Sequence, residues 1–124
     1  MGVKIFENDL VYIEYEESEI PWFIIFTRRK IKEFSQSTTA EKQAIFALLD
    51  LIEKEMLLYF KPTKINIASF GNMLPHLHWH IMARFEKDSY FPQPMWGEIQ
   101  RKSDLNFPCI DIFIENLLKK LTNI

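Results

Sequence analysis

His76-Leu77-His78-Trp79-His80-Ile81-Met82 holds all three histidines of a 124-residue chain. On a strand, successive side chains point to opposite faces. The alternation therefore predicts three imidazoles on one side and Leu77, Trp79 and Ile81 on the other. A wet, titratable face is set against a dry, packed one. A lone histidine is most often structural, but three in strict alternation, with none elsewhere, are poorly explained by packing.

Working outward, Lys64 to Ser69 and His78 to Phe85 read as the fourth and fifth strands, separated by Phe70-Gly71-Asn72-Met73-Leu74-Pro75. Upstream, Thr38 and Glu41 form a capping box. Ile45, Leu48, Leu49, Ile52, Met56 and Tyr59 recur at helical spacing, with Glu41, Lys42, Asp50, Glu53 and Lys54 on the opposite face, which predicts a helix over 39–60 ended by Pro62. Phe46 and Leu57 widen the apolar stripe. Val3 to Glu7 and Leu10 to Tyr15 read as a hairpin turning at Asn8-Asp9. Trp22 to Phe26 is continuously apolar, the mark of a central strand buried on both faces or at a subunit contact. Arg28-Arg29-Lys30 closes that strand as a solvated end, with a phosphate-facing role as the alternative. Ile110 to Leu121 predicts a closing helix after Pro108. The class is α+β, with a mostly antiparallel sheet, and no repeat or linker divides residues 1–124, so one domain is expected.

Composition narrows the function. Apolar residues make up 48% and charged residues 26%, which is globular and not disordered. A net charge of −2 gives no field for holding a nucleic-acid polymer. The single cysteine, Cys109, excludes an internal disulfide and a multi-thiolate zinc site; it reads as a small buried apolar residue in a reducing compartment. No signal-peptide core or membrane-length apolar run is visible, and Phe6 stands where a myristoylation motif takes Ser or Thr. A cytoplasmic protein with no membrane partner is expected.

Two chemistries use a histidine row. Imidazoles bind zinc; alternatively, one neutral imidazole attacks phosphorus while its neighbours orient it and donate to phosphate oxygens. Gly71-Asn72 offers a turn where backbone can approach an anion, and Asn66 adds an uncharged donor and acceptor. No Asp or Glu occurs between Met56 and Phe85 to neutralise a divalent ion. The balance favours phosphate over metal.

The run Asn66-Ile67-Ala68-Ser69-Phe70-Gly71-Asn72-Met73-Leu74-Pro75-His76-Leu77-His78-Trp79-His80-Ile81-Met82 resembles the signature of the histidine triad (HIT) family, nucleotide-binding hydrolases and transferases with the motif His-φ-His-φ-His-φ-φ, φ being apolar. It is most similar to bacterial HIT-like proteins with a Gly-Asn-Met-φ-Pro turn before the triad. The resemblance implies a sheet of about five antiparallel strands with one long central helix and a C-terminal helix, dimerising across the long helix and a strand into an extended sheet. It implies His78 as nucleophile, forming a nucleotidyl-histidine. His76 would hold that ring in its reactive tautomer, and His80 would contact phosphate oxygens or the bridging leaving atom. Asn66, Gly71, Asn72 and Met73 fall at substrate-binding positions. Met73 stands where many members carry a serine, and Arg28-Arg29-Lys30 where many carry a further histidine.

The expected activity is cleavage of a nucleoside phosphoramidate, adenylate or dinucleotide by a homodimer that needs no cofactor and no metal. A nucleotide-binding regulatory module and a zinc protein using the histidine row are the alternatives. In the loop Tyr90-Phe91-Pro92-Gln93-Pro94-Met95-Trp96-Gly97, the aromatics read chiefly as packing or a dimer cap. Trp96 is the one best suited to touch a nucleotide or the neighbouring subunit's site.

Overall fold

A computed structural model describes residues 2–122. Its strands are β1 (Val3–Glu7), β2 (Val11–Tyr15), β3 (Trp22–Thr27), β4 (Lys64–Ala68) and β5 (His78–Arg84). Its helices are α1 (Thr39–Phe60) and α2 (Ile110–Leu121), with a 3-10 turn at Phe34–Gln36 ahead of α1. The strands make one antiparallel sheet in the order β1-β2-β3-β5-β4. This is the α+β architecture the sequence predicts, with element ends shifted by a residue. One such shift has a clear cause. The Asn8 side-chain oxygen accepts from the backbone N–H of Leu10 and Val11, at 2.9 and 3.0 Å, and draws Leu10 out of the strand into the turn.

Both helices cover one face of the sheet. Val11 and Ile13 of β2, Phe23 and Ile25 of β3, and Ile81 and Ala83 of β5 meet Ile45, Leu48, Leu49, Ile52 and Met56 of α1 and Phe113, Leu117 and Leu121 of α2. Each large aliphatic or aromatic side chain buried there contributes about 1.5–3 kcal/mol. β3 lies mid-sheet and is buried from Phe23 to Thr27 within the chain itself. Its apolar run is thus explained by the sheet's two neighbours and two faces, and it presents no subunit surface. Phe46, Leu57 and Leu58 of α1 do remain exposed.

The start of α1 differs from expectation in one residue. The capping box forms, with Thr38 Oγ1 accepting from the Glu41 N–H at 3.1 Å and Glu41 Oε1 from the Thr38 N–H at 2.8 Å. Glu41, however, is not on the solvent face; it is 2% exposed. Arg29 donates to it through Nε and Nη2, at 2.9 and 2.7 Å. That hydrogen bond, against the opposing effect of burial, holds the Glu41 carboxyl down at about 2. Arg28 pairs with Glu7 at 3.0 Å. The basic strand end is therefore solvent-exposed, as expected, with Arg28 and Arg29 engaged in ion pairs. Lys61, in the left-handed conformation with φ 50°, ends α1 ahead of Pro62. Cys109 is exposed, not buried, because it stands at the N-terminal cap of α2 with its carbonyl accepting from the Tyr59 hydroxyl at 2.7 Å. Among the described residues no helix is long and apolar enough to cross a membrane.

Candidate active site

Register decides which side chains share the open face of the sheet. β5 runs between β3 and β4, with Phe26 opposite His78, Ile24 opposite His80, Ala68 opposite His80 and Asn66 opposite Met82. Directly paired residues point the same way. His78, His80, Met82 and Arg84 therefore stand on the face away from the helices, beside Trp22, Ile24 and Phe26. Trp79, Ile81 and Ala83 turn to the core, as the alternation predicts.

A cavity of about 490 Å³ opens on that face, lined by His78, His80, Trp96 and the 70–74 turn. Gly71 has φ 118°, a conformation L side chains rarely adopt. It bends the turn so that Asn72 and Met73 rim the cavity. His78 and His80 have ring centroids 5.0 Å apart. The 7% and 9% exposure of these two residues places them at the floor.

Hydrogen bonds assign both tautomers. His78 Nδ1 lies 2.6 Å from the His76 carbonyl oxygen, which can only accept, so Nδ1 carries the proton and Nε2 keeps its lone pair. His80 is the converse. Trp22 Nε1–H donates to His80 Nδ1 at 3.0 Å, so the neutral ring holds its proton on Nε2. Burial, reinforced by the neighbouring His78, pushes the His80 pKa down to about 4.

His76 keeps to the histidine face but lies outside the cavity lining. β5 begins at His78, so His76 precedes the strand, and its ring packs on Phe26 and Tyr12 at 5.3 and 6.2 Å. Its Nε2–H donates to the Thr27 carbonyl at 2.7 Å. The group that orients His78 is thus the main chain of His76 and not its imidazole. Asn66 also lies outside the main cavity. It borders a neighbouring one of about 310 Å³ that shares Phe70 and Trp96 with the first, and its Oδ1 accepts from Arg84 Nη1 at 2.9 Å. Trp96 lies where a ligand contact was expected, edge-on to His80 at 4.9 Å, Trp22 at 5.4 Å and Phe70 at 4.8 Å. Among the described residues no group of three His, Cys, Asp or Glu side chains could hold a metal ion.

The wall carrying Trp96 is anchored from beneath. Arg84, 2% exposed, donates to the fully buried Asp88 through Nε and Nη2, at 2.8 and 3.0 Å, and to the Gln93 carbonyl at 2.7 Å. Asp88 also accepts from the backbone N–H groups of Phe85, Tyr90 and Phe91. Burial pushes its carboxyl up, but Arg84 and these N–H groups outweigh that and leave it below its ordinary value. Arg101 donates to the Asp88 carbonyl at 2.7 Å, and the Ser89 N–H to Glu19 at 2.9 Å. Tyr90 and Phe91 are half-buried packing residues, Phe91 lying under the Arg84 guanidinium.

Sequence reasoning missed Trp22, Phe70, Leu74 and the Arg84–Asp88 pair. Spacing gave no signal for the last, since four residues bring charges together on a helix and Arg84 ends a strand. Trp22 carried none, because its partner is distant in sequence and only the β3–β5 register brings them together.

The HIT domain model matches residues 2–87. A histidine triad protein from Bradyrhizobium japonicum matches with TM-score 0.78 at 25% identity, over 96% of this chain and 90% of that one. One from Marinobacter aquaeolei matches with TM-score 0.79 at 25% identity, over 97% and 90%. One from Sinorhizobium meliloti matches with TM-score 0.73 at 25% identity, over 99% and 90%. No curated protein matches significantly.

Proposed function

The chain belongs to the HIT domain family, and on that premise we propose that it is a nucleotide hydrolase or nucleotidyl transferase working through a covalent nucleotidyl-histidine. The observation that carries this reading is the bond from His78 Nδ1–H to the His76 carbonyl. It leaves Nε2 as a free lone pair on a ring that lines the cavity. In the proposed first step that pair attacks the α-phosphorus of a nucleoside phosphoramidate, adenylate or dinucleotide, the P–N bond forms, and the bond to the leaving atom breaks. Because His78 keeps its Nδ1 proton, the adduct ring is cationic and departs in the second step as a neutral imidazole, displaced by water or an acceptor.

The surrounding groups supply charge stabilisation. His80 Nε2–H and the backbone of Gly71-Asn72 are the donors we assign to the phosphoryl oxygens. One strong preorganised donor is worth about 2.7–4 kcal/mol in comparable sites. Met73 rims the entrance, and Trp96 gives an aromatic wall. Asn66 borders the adjoining cavity, the place for substrate beyond the reacting phosphorus. His76 acts as a positioning residue through its main chain. The working unit we propose is the 1–124 domain as a cytoplasmic homodimer, with a nucleotide-type small molecule as substrate and neither nucleic-acid polymer nor membrane as partner.

The test is adduct trapping. Rapid quenching with α-labelled diadenosine triphosphate should place label on His78, labile in acid and stable in alkali. His78→Asn should lose turnover and labelling while still binding AMP. Label recovered on another residue, or full activity in His78→Ala, would overturn the proposal.

A further inference from the structure

We infer that Trp22 locks His80 as a permanent hydrogen-bond donor, and that this confines the site to nucleotidyl substrates whose leaving group departs as a stable anion. Such groups are carboxylates, phosphates and nucleotides; alkylamines are excluded. The inference rests on the nucleotidyl-histidine reading and concerns what that step lacks, a proton donor for the leaving atom.

The Trp22 indole N–H can donate and cannot accept. With that N–H 3.0 Å from His80 Nδ1, a proton on Nδ1 would set two N–H groups against each other. Trp22 cannot easily turn away, since its ring is packed edge-on to His80 at 5.7 Å and to Trp96 at 5.4 Å. His80 therefore offers one proton, on Nε2, and giving that up would leave an imidazolate. It can stabilise a phosphoryl oxygen, but it cannot act as a general acid.

Among the described residues none lining the cavity replaces it. Its lining is Phe70, Gly71, Asn72, Met73, Leu74, His78, His80 and Trp96, so the titratable members are His78, the nucleophile, and His80. On the same sheet face, Arg84 of β5 is paired with Asp88. Lys64 of β4 lies beyond Asn66, and Glu14 of β2 lies across β3 from His80. The low pKa of His80, about 4, agrees with a ring that stays neutral.

The leaving groups then divide by basicity. When P–O breaks in an acyl adenylate or a dinucleoside polyphosphate, the electron pair leaves on a carboxylate or phosphate oxygen and no proton is required. When P–N breaks in an alkyl phosphoramidate, the pair leaves on an amide nitrogen far too basic to depart without a proton. Among the described residues the cavity lining has no donor to supply it.

Two measurements test this. Long-range ¹H–¹⁵N spectra of the histidine rings between pH 7 and 5 should show His80 with a bare Nδ1 and a protonated Nε2 throughout. A proton on Nδ1 in that range would overturn the lock. In parallel, kcat/KM for adenosine 5′-phosphoramidates of alkylamines should fall at least ~10²-fold below that for acetyl adenylate or diadenosine triphosphate, the lower end of a general-acid contribution. Trp22→Phe should narrow that ratio by ~10-fold and give the amine substrates an acid limb between pH 7 and 5. Alkylamine substrates turned over as fast as anhydrides by the wild-type protein would sink the inference. Absence of His78 labelling by either class would strike the nucleotidyl-histidine reading alone, while the ring spectra still decide the lock.

Discussion

His78 Nδ1 and the main-chain oxygen of His76 are 2.6 Å apart, so the group that fixes the nucleophile we propose belongs to the backbone. Any residue at position 76 supplies that carbonyl. The His76 imidazole does a different job, tying the segment ahead of β5 to the end of β3 through the Thr27 carbonyl. His78→Ala should therefore abolish turnover, whereas His76→Ala should lower kcat by only about tenfold, below the ~10²–10⁴ range of a residue acting in proton transfer. Steady-state kinetics of the two variants check this. Equal losses would mean that the His76 ring has a chemical role.

Acid should weaken the fold through His80. The unfolded ring takes up its proton near pH 6.5 and the folded one near 4. Between those values the unfolded state binds more protons, so stability rises with pH across the window and is lost as pH falls from 6.5 towards 4. The full shift corresponds to a contribution on the order of 3 kcal/mol. Urea unfolding at pH 7, 5.5 and 4 should show a steeper fall for wild type than for His80→Asn. Parallel curves would remove His80 as the cause.

Breaking the pair beneath the Trp96 wall should be costly. Asp88→Ala strands the buried Arg84 guanidinium, and losing one partner of a buried pair costs about 3–5 kcal/mol. Replacing both, as Arg84→Met with Asp88→Leu, should cost clearly less than Asp88→Ala alone despite the second change. Denaturant midpoints for the single and double variants measure the difference.

The N-terminus of α1 offers a smaller and cleaner test. Thr38→Ala removes the side-chain acceptor for the Glu41 N–H and should cost about 1 kcal/mol. Thr38→Ser should restore most of it. Chemical denaturation at neutral pH is the measurement.

The homodimer we propose should bury the apolar groups left open on α1. Light scattering at micromolar concentration should give twice the chain mass, and Leu58→Glu, at a position 74% exposed here, should shift it towards monomer. A wild-type monomer would contradict the proposed assembly.

What could be read from the sequence was whatever is encoded locally. The Thr38 and Glu41 box, the Pro62 stop and the 3.6-residue spacing defined α1, and period-two alternation aimed His78 and His80 away from Trp79 and Ile81. Contacts set by tertiary register were not legible. Glu41 looked like a solvent-facing helix acid until β3 delivered Arg29 to it. Trp22 looked like one more core aromatic until strand pairing placed it against His80. His76 followed the alternation onto the histidine face, but β5 starts only at His78, and its ring packs on Phe26 outside the cavity. Cys109 fitted the composition of a core residue, yet a helix start at the surface left it exposed.

The anchoring of residues 85–101 bears on how a substrate gets in and out. The segment has no helix or strand, a profile usual for a swinging cover over a site. Its bonds to Arg84, Asp88, Arg101 and Glu19 make it a fixed wall instead, since opening it would expose a buried ion pair. Traffic must pass on the opposite side, over Met73 and Leu74, which stand 97% and 52% exposed. A substrate entering there meets the cavity without any displacement of the 85–101 wall, so product release need not wait on a large, slow rearrangement of that segment.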